Sequence, residues 1–201
     1  GYMEDQQRDS MPKAAAARPE GSIGDSSGYS FLLSAAKAIL IVLLINAYLF
    51  QFILVSGSSM AETLHSGDVL LVSKLEYVLG EPARFDIVIC KYPKRRDRFV
   101  KRVVGLPGER ISVLDGVLYV NGKAYAEEYI QHRPNYTIQD YMVPDGHYFV
   151  LGDNRSNSND SHSIGPIARD AIVGKARAVL FPFRHMKWLS NNAAYHAATI
   201  E

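Results

Sequence analysis

A single long run without charged residues limits what this 201-residue chain can fold into. Residues 38–55 read AILIVLLINAYLFQFILV, about 18 residues, close to the shortest stretch that crosses a bilayer as a helix. The run has no polar stripe, which argues against a helix half-exposed on a soluble domain. It is also longer than the apolar core of a cleavable secretory signal. We therefore predict a retained transmembrane helix over residues 31–55.

The segment before this run predicts a cytoplasmic tail. Residues 1–30 are polar, rich in small residues and aperiodic, which is typical of disorder. Four basic residues precede the apolar run: Arg8, Lys13, Arg18 and Lys37. No lysine or arginine follows it until Lys74. By the positive-inside rule, the N-terminus faces the cytoplasm of a single-pass plasma membrane protein, and everything after Val55 lies outside.

Beyond the apolar run, the pattern changes from helical to strand-like. Short segments such as DVLLV, RFVKRVVG and VLYV are rich in β-branched and aromatic residues and alternate with turn signals. Two dipeptides, Asp115-Gly116 and Asn121-Gly122, suit the positive φ angles of type I′ hairpin turns. The sequence predicts a mostly β domain over residues 56–183, a coiled antiparallel sheet with a barrel-like form. A C-terminal tail follows over residues 184–201.

Composition argues against several function classes. The 22 basic residues balance the 21 acidic ones, so the net charge gives no basis for a nucleic-acid partner. The single cysteine, Cys90, excludes an intramolecular disulfide framework and a multi-cysteine metal site. The six histidines are scattered and match no metal-binding motif. We expect no cofactor, no metal and no nucleic-acid partner.

The serines of the stretch VSGSSMAETLHSG, at the end of the apolar run, are candidate nucleophiles. The members of a Ser-His-Asp triad need only meet in space, so the sequence leaves this arrangement open. His65, His147 and His162 are its possible bases. A lysine base is the second arrangement, because a neutral amine can take a proton from a serine hydroxyl.

Lys101 is the lysine that best fits such a role. On a strand, its side chain shares one face with Phe99 and Val103, and burial between them would favour the neutral amine. The alternative is a charged rim, in which Lys101 and Arg102 reach solvent along buried aliphatic stems. Lys74 also follows an apolar strand and is the rival base.

Four segments taken together resemble the motifs of one family. They are GSSMAETLHSGDVLLVSK, RFDIVI, FVKRVVGLPGE and VPDGHYFVLGDNRSNSNDSHSIG. In order and type they resemble the boxes of bacterial type I signal peptidases, membrane-anchored Ser-Lys proteases that remove signal peptides from exported proteins. The resemblance covers the apolar run and the strand-rich region to about Phe183. It implies a serine endopeptidase that cuts after small residues (A-x-A-like), with signal-peptide-bearing preproteins and membrane lipid as its partners.

The resemblance also implies roles for individual residues. Ser59 is the nucleophile and Lys101 the general base. Ser158 orients the lysine amine through a hydrogen bond, while Arg155 and Asp160 brace the site through charged contacts. The backbone N–H of Ser59 is the natural first donor to the oxyanion that forms during acyl transfer.

Four positions depart from the family pattern. Gly57 stands where some members have a serine whose hydroxyl supports the oxyanion, so a backbone group or water must substitute. Glu62 replaces the usual proline and adds an N–H and a carboxylate beside the nucleophile. His162 replaces a common arginine, and Phe85 replaces a common glycine.

Two other functions stay open at this point. A catalytically weakened or silent anchored homologue would bind signal peptides or partners, with Glu62 as its mark. A repressor-type Ser-Lys autoprotease shares the β domain. It should carry a helical DNA-binding domain and no membrane span, and this chain shows the reverse.

Overall fold

A computed structural model of the chain describes residues 26–92 and 97–189. The first element is helix α1, Ser26–Leu49, whose large apolar side chains are exposed. Among the described residues, α1 is the one helix that is long and apolar enough to cross a membrane. Most of the predicted N-terminal tail, and the C-terminal tail from residue 190 onward, lie outside the described residues.

The helix ends earlier than the predicted range of 31–55. Residues 50–54 form strand β1, Phe50–Leu54, which pairs antiparallel with strand β2, Val69–Ser73. The sequence FQFIL suits a strand because aromatic and β-branched side chains pack well on a pleated surface. The N–H of Lys74 donates to the carbonyl of Leu49 at 2.8 Å, so pairing begins where the helix ends.

The region beyond the helix has the predicted mostly β fold, and all of its strand pairs are antiparallel. The further strands are β3 (Ile87–Lys91), β4 (Arg98–Gly105), β5 (Arg110–Leu114), β6 (Val117–Val120), β7 (Lys123–Tyr125), β8 (Ile138–Met142), β9 (His147–Leu151), β10 (Ile167–Ala168), β11 (Ile172–Phe181) and β12 (Lys187–Trp188). The short helices α2 (Leu75–Leu79) and α3 (Ser161–Ile164) interrupt them.

The strands form two sheets. The larger has the order β1-β2-β11-β3-β4-β9-β10, with β12 also on β11, and the smaller has the order β7-β6-β5-β8. Strand β11 therefore lies between β2 and β3, although it comes late in the chain. Its pairing shifts register against both neighbours, and such bulges bend and twist a sheet. The curl brings β1 and β4 to opposite walls of one cavity, although three strands separate them in the sheet.

Both predicted hairpin turns are confirmed. Asp115 and Gly116 have φ angles of 51° and 76° between β5 and β6. Asn121 and Gly122 have φ angles of 50° and 77° between β6 and β7. Because only glycine, and to a lesser extent Asn and Asp, adopt these angles readily, the two dipeptides fix the register of the small sheet.

Two neighbouring cations on β4 are both buried, so the solvated-rim interpretation is wrong. Lys101 is 1% exposed and Arg102 is 3% exposed. The Arg102 guanidinium donates to both carboxylate oxygens of Asp153, at 2.8 and 2.7 Å, and to the carbonyl of Phe85 at 3.0 Å. It also lies 3.8 Å from the centre of the Tyr129 ring. Bidentate pairing and ring contact offset the cost of burying this charge.

Replacing Arg102 by leucine should destabilise the domain by about 3–5 kcal/mol, because the Asp153 carboxylate would be left buried without its partner. The matched control is Arg110→Leu, which removes an exposed strand arginine from its ion pair with Asp140. That change should cost less than about 1 kcal/mol. Urea unfolding of both variants gives the comparison, and equal losses would contradict the structural role of the buried pair.

Candidate active site

The turn that carries Ser59 connects β1 to β2. Its ends are joined by hydrogen bonds from Val55 N–H to the Asp68 carbonyl (2.8 Å) and from the Gly67 N–H to the Val55 carbonyl (2.9 Å). Inside the turn, Met60 and Leu64 are buried in the core and anchor it from within. Ser59 itself is half-buried. The turn is therefore a closed loop with apolar anchors, and it is not a hinge.

A second loop, residues 152–157, holds this turn from outside. The Asn154 N–H donates to the Ser59 carbonyl at 3.0 Å. The Asn154 side-chain amide donates to the Ser58 carbonyl at 3.0 Å, and the Asn157 amide donates to the Ser58 hydroxyl at 2.9 Å. These bonds fix the backbone on both sides of the Ser59 amide.

The Asp153 carboxylate connects this turn to strand β4. Besides the two bonds from Arg102, it accepts a hydrogen bond from the Thr63 hydroxyl at 2.5 Å. The Asp153 N–H points at the sulfur of Met60, 3.4 Å away. Asp153 is fully buried, so these bonds form without competition from water.

Gly152 is the point where the parts of the site meet. A Cβ atom at this position would lie 2.3 Å from the Ser158 hydroxyl oxygen and 2.5 Å from the Ser59 carbonyl oxygen. No real side chain tolerates such distances, so only glycine allows these two residues to pack against the backbone here. Ser59 and Ser158 are thus brought to the same residue, although 98 positions separate them in the chain.

Strand pairing brings Lys101 to the same place. Strands β4 and β9 pair with Arg102 opposite Leu151. Lys101 and Gly152 are the next residues beyond this last pair, so both lie at the same end of the ladder. Ser59 and Ser158 pack against Gly152 at that end.

The Lys101 amine differs from its neighbour Arg102 in having no counter-ion. No carboxylate lies within 4.0 Å of it in the described part of the chain. Burial lowers the pKa of Lys101 below its ordinary value, and the more distant carboxylates of Asp160 and Asp153 offset only part of this effect. The lowered pKa shifts the equilibrium towards the neutral amine.

Ser158 and Asp160 both pack at Gly152. The Ser158 hydroxyl is buried and has no hydrogen-bond partner among the described residues. Asp160, also buried, accepts hydrogen bonds from the Gly152 N–H at 2.8 Å and from the backbone N–H of His162 at 3.2 Å. The His162 ring nitrogen Nδ1 lies 2.7 Å from the same carboxylate, and its ring stacks on Tyr136.

Arg155 is buried and stabilises the 152–157 loop by pairing with Glu127, a residue that the sequence analysis did not identify. Its guanidinium forms a two-bond pair with Glu127 and donates to the Gly152 carbonyl at 3.1 Å. Glu127 comes from the irregular segment between β7 and β8, where its carboxylate is buried. No sequence pattern identifies Glu127, because a glutamate in a tyrosine-rich loop is usually exposed to solvent.

The histidine triad gains no support from the geometry. His65 lies beside His185 and Asp68, while His162 contacts Asp160. His147 faces the carbonyl of Asp145. Within residues 26–92 and 97–189, none of the three predicted bases makes a hydrogen bond to a serine of the turn.

A cavity of about 440 Å³ opens beside Ser59. Its lining includes the following residues: Ile53, Leu54, Val55, Ser56, Gly57, Ser59, Met60, Asp97, Arg98, Phe99 and Val100. One wall comes from β1 and the turn, and the other from the start of β4. Strand β9 pairs with the later part of β4, from Arg102 to Gly105, whereas the cavity borders its earlier part.

Comparisons with known proteins decide the family. The model of the family "Signal peptidase, peptidase S26" matches residues 29–181. The chain is 44% identical over 161 residues to signal peptidase I T of Bacillus subtilis, covering 75% of this chain and 83% of that protein. It is 36% identical over 169 residues to the probable signal peptidase I-2 of Synechocystis, covering 81% and 78%.

The chain belongs to the signal peptidase family, peptidase S26. A crystal structure of a signal peptidase I from Enterococcus faecalis V583 is 36% identical to it, covering 50% of this chain and 97% of that one with a TM-score of 0.41. The family model and the curated relatives identify the chain as a type I signal peptidase, a serine peptidase that cleaves signal peptides. Its apolar helix α1 fits a membrane-anchored member of the family.

The structure shows the contacts and backbone conformations of three residues that depart from the family pattern. Glu62 of this signal peptidase accepts hydrogen bonds from the Gln131 N–H and pairs with the His132 ring, so its carboxylate ties the turn to a neighbouring loop. Phe85 has a φ of 67°, a conformation that glycine favours, and its buried ring packs in the core. Gly57 has a φ of 96° at the edge of the cavity, where a serine would be strained.

Replacing Gly152 by alanine should lower kcat/KM by on the order of 10²-fold, because the new methyl group displaces Ser158 and the backbone of Ser59. The overpacking should also cost about 1–3 kcal/mol of stability. Gly80→Ala is the control, because its Cβ would meet only a carbonyl at 3.3 Å. Cleavage assays in detergent provide the measurement, and parent-like activity of Gly152→Ala would contradict this packing.

Proposed function

We propose that this signal peptidase cuts preproteins with a Ser59–Lys101 dyad, in which Ser59 attacks the carbonyl before the scissile bond. The observation that carries the proposal is the buried Lys101 side chain, which makes no salt bridge within the described residues. It lies at the end of the β4–β9 ladder next to Gly152, where Ser59 packs. Burial lowers the pKa of such an amine and favours its neutral form, which can accept the serine proton. It can then activate water to hydrolyse the ester intermediate.

Ser158 and Asp160 orient the base in this proposal. The Ser158 hydroxyl is buried and has no hydrogen-bond partner in the described part of the chain, and the Lys101 side chain is buried as well. A hydrogen bond between them would satisfy both groups. Asp160 holds the Gly152 amide and attracts the ammonium form, so it stabilises the lysine after it has taken the proton.

The oxyanion is held by the backbone. The two hydrogen bonds from Asn154 fix the carbonyls of Ser58 and Ser59, and this orients the Ser59 N–H. A donor fixed before the reaction stabilises the developing charge without reorganisation. At Gly57 no side-chain hydroxyl is available, so its backbone N–H or a water supplies the second donor. Arg155 supports the site from behind, through Gly152 and Glu127.

The substrate binds as an added strand. Strand β9 pairs with β4 from Arg102 to Gly105, and the earlier part of β4 borders the cavity beside Ser59. An extended peptide can pair with the edge of a strand through its main chain, while alternate side chains enter pockets. The walls formed by Ile53, Met60 and Val100 are apolar and shallow, which favours small residues of the A-x-A type before the cut.

The helix sets the location of the site. Helix α1 spans the plasma membrane once, with the basic N-terminal tail in the cytoplasm and residues from 56 onward outside. Because the signal peptide is itself inserted in the membrane, anchoring raises its local concentration at the site. Membrane lipid is then a permanent partner of the enzyme.

Ser59→Ala and Lys101→Met should each lower kcat/KM by on the order of 10³-fold or more, because each removes one member of a unit that acts together. The control variants are Ser58→Ala, at a neighbouring exposed serine, and Lys74→Met, whose amine lies over the Tyr48 ring. Both controls should retain activity within about tenfold. Cleavage of a preprotein in detergent micelles tests all four, and full activity of Lys101→Met would end the dyad assignment.

The pH dependence follows from the lowered pKa of Lys101. Only the neutral amine accepts the serine proton, so kcat/KM should rise with pH and level off above an apparent pKa below the ordinary lysine value of about 10.4. The folded state binds fewer protons than the unfolded state in this range, so stability should also rise with pH. Lys101→Met should lose this rise in stability. A flat rate profile from neutral to alkaline pH would contradict a titrating base.

A further inference from the structure

Three side chains of metal-ligand type meet at the base of the Ser59 turn. His185 Nδ1 lies 2.8 Å from one carboxylate oxygen of Asp68, and His65 Nδ1 lies 4.0 Å from the other. The two imidazole rings are 4.9 Å apart with a 36° tilt. One ligand atom from each residue can be chosen so that all three lie within 4.8 Å of one another.

We propose that His65, Asp68 and His185 bind a divalent transition-metal ion, with zinc as the best match. Two imidazole nitrogens and one carboxylate oxygen are a donor set that zinc and its neighbours in the first transition row prefer, whereas calcium and magnesium prefer oxygen alone. None of the three residues belongs to the proposed catalytic set. We therefore assign the ion a structural role. This proposal differs from the sequence-based expectation that the protein binds no metal.

The carboxylate is already fixed for this role. Asp68 is 1% exposed, and its second oxygen accepts a hydrogen bond from the His65 backbone N–H at 2.9 Å. Its backbone is held by the bond to Val55 that closes the turn. Hydrogen bonds of this kind orient a ligand before the metal arrives and raise its affinity.

Little movement is needed to form the site. A zinc ion with bonds of about 2.0–2.2 Å holds its ligand atoms roughly 3.0–3.5 Å apart. Asp68 and His185 are 2.8 Å apart, so they must separate by a few tenths of an ångström when the ion takes the place of the hydrogen that they share. The His65 ring must approach by roughly 1–2 Å, since the three ligand atoms now lie within 4.8 Å of one another. Its side chain is 58% exposed and free to turn.

The consequence is a cross-link between distant parts of the chain. His185 lies in the 3-10 turn Phe183–His185, just after β11, whereas His65 and Asp68 belong to the turn of Ser59. Lys187 already donates to the Thr63 carbonyl at 2.7 Å, two residues further along the same segment. A bound ion fastens the segment after β11 to the turn more firmly than these hydrogen bonds alone.

The experiment uses the full chain in detergent micelles, purified without a polyhistidine tag and stripped with a chelator. Calorimetric titration with zinc should give one equivalent bound, and cobalt should produce the visible absorption bands of a four-coordinate site. Thermal unfolding should shift to higher temperature with zinc present. None of these readouts depends on peptidase activity, so failure of the dyad assignment leaves the test unaffected.

The variants are His65→Ala and His185→Ala, with His132→Ala as the control. His132 is exposed and paired with Glu62, so it tests whether any histidine–carboxylate pair is sufficient. His65 is largely exposed, and its variant should therefore fold, which circular dichroism checks. Zinc affinity should fall at least tenfold in both site variants and stay unchanged in the control. No zinc binding by the parent chain, or equal binding by the parent and the site variants, would overturn the proposal.

Discussion

The buried carboxylate of Asp153 is the group on which the rest of the site depends. It neutralises Arg102 on β4, accepts the Thr63 hydroxyl from the Ser59 turn, and stands next to Gly152 in the loop that holds that turn. One charge therefore joins three segments that are far apart in sequence. Because it also pairs fully with Arg102, it leaves the neighbouring Lys101 without a close counter-ion. Lys101 and Arg102 are adjacent on β4, but within the described residues only the Arg102 side chain forms an ion pair with a carboxylate.

Local patterns were sufficient to predict much of this architecture. Asp115-Gly116 and Asn121-Gly122 specify turn conformations that few other residue pairs allow, so their hairpins follow directly from the sequence. The strand character of residues 98–105 was equally readable from their β-branched content. The end of helix α1 was not, because Phe50 and Phe52 suit an apolar helix as well as a strand. Pairing with β2, which lies some twenty residues later, decides between the two.

Only the site residues that lie in recognisable sequence motifs could be predicted. Ser59, Lys101, Ser158, Arg155 and Asp160 were named from the sequence, and the fold brings most of them around Gly152. Glu127 and the pairing of Arg102 with Asp153 were missed, since a charge that is buried and paired looks in sequence like a solvated one. The cluster of His65, Asp68 and His185 was missed for a related reason. Its members are up to 120 positions apart, and no spacing rule links them.

The place of β11 in the larger sheet has a consequence for the order in which the enzyme is made. This strand is the last long one among the described residues, yet it lies between β2 on the Ser59 side of the sheet and β3 on the Lys101 side. Its pairing with both neighbours can form only after the chain has been synthesised to residue 181. The larger sheet is therefore completed by a late segment of the chain, while Asp153 can already join the Ser59 turn to β4.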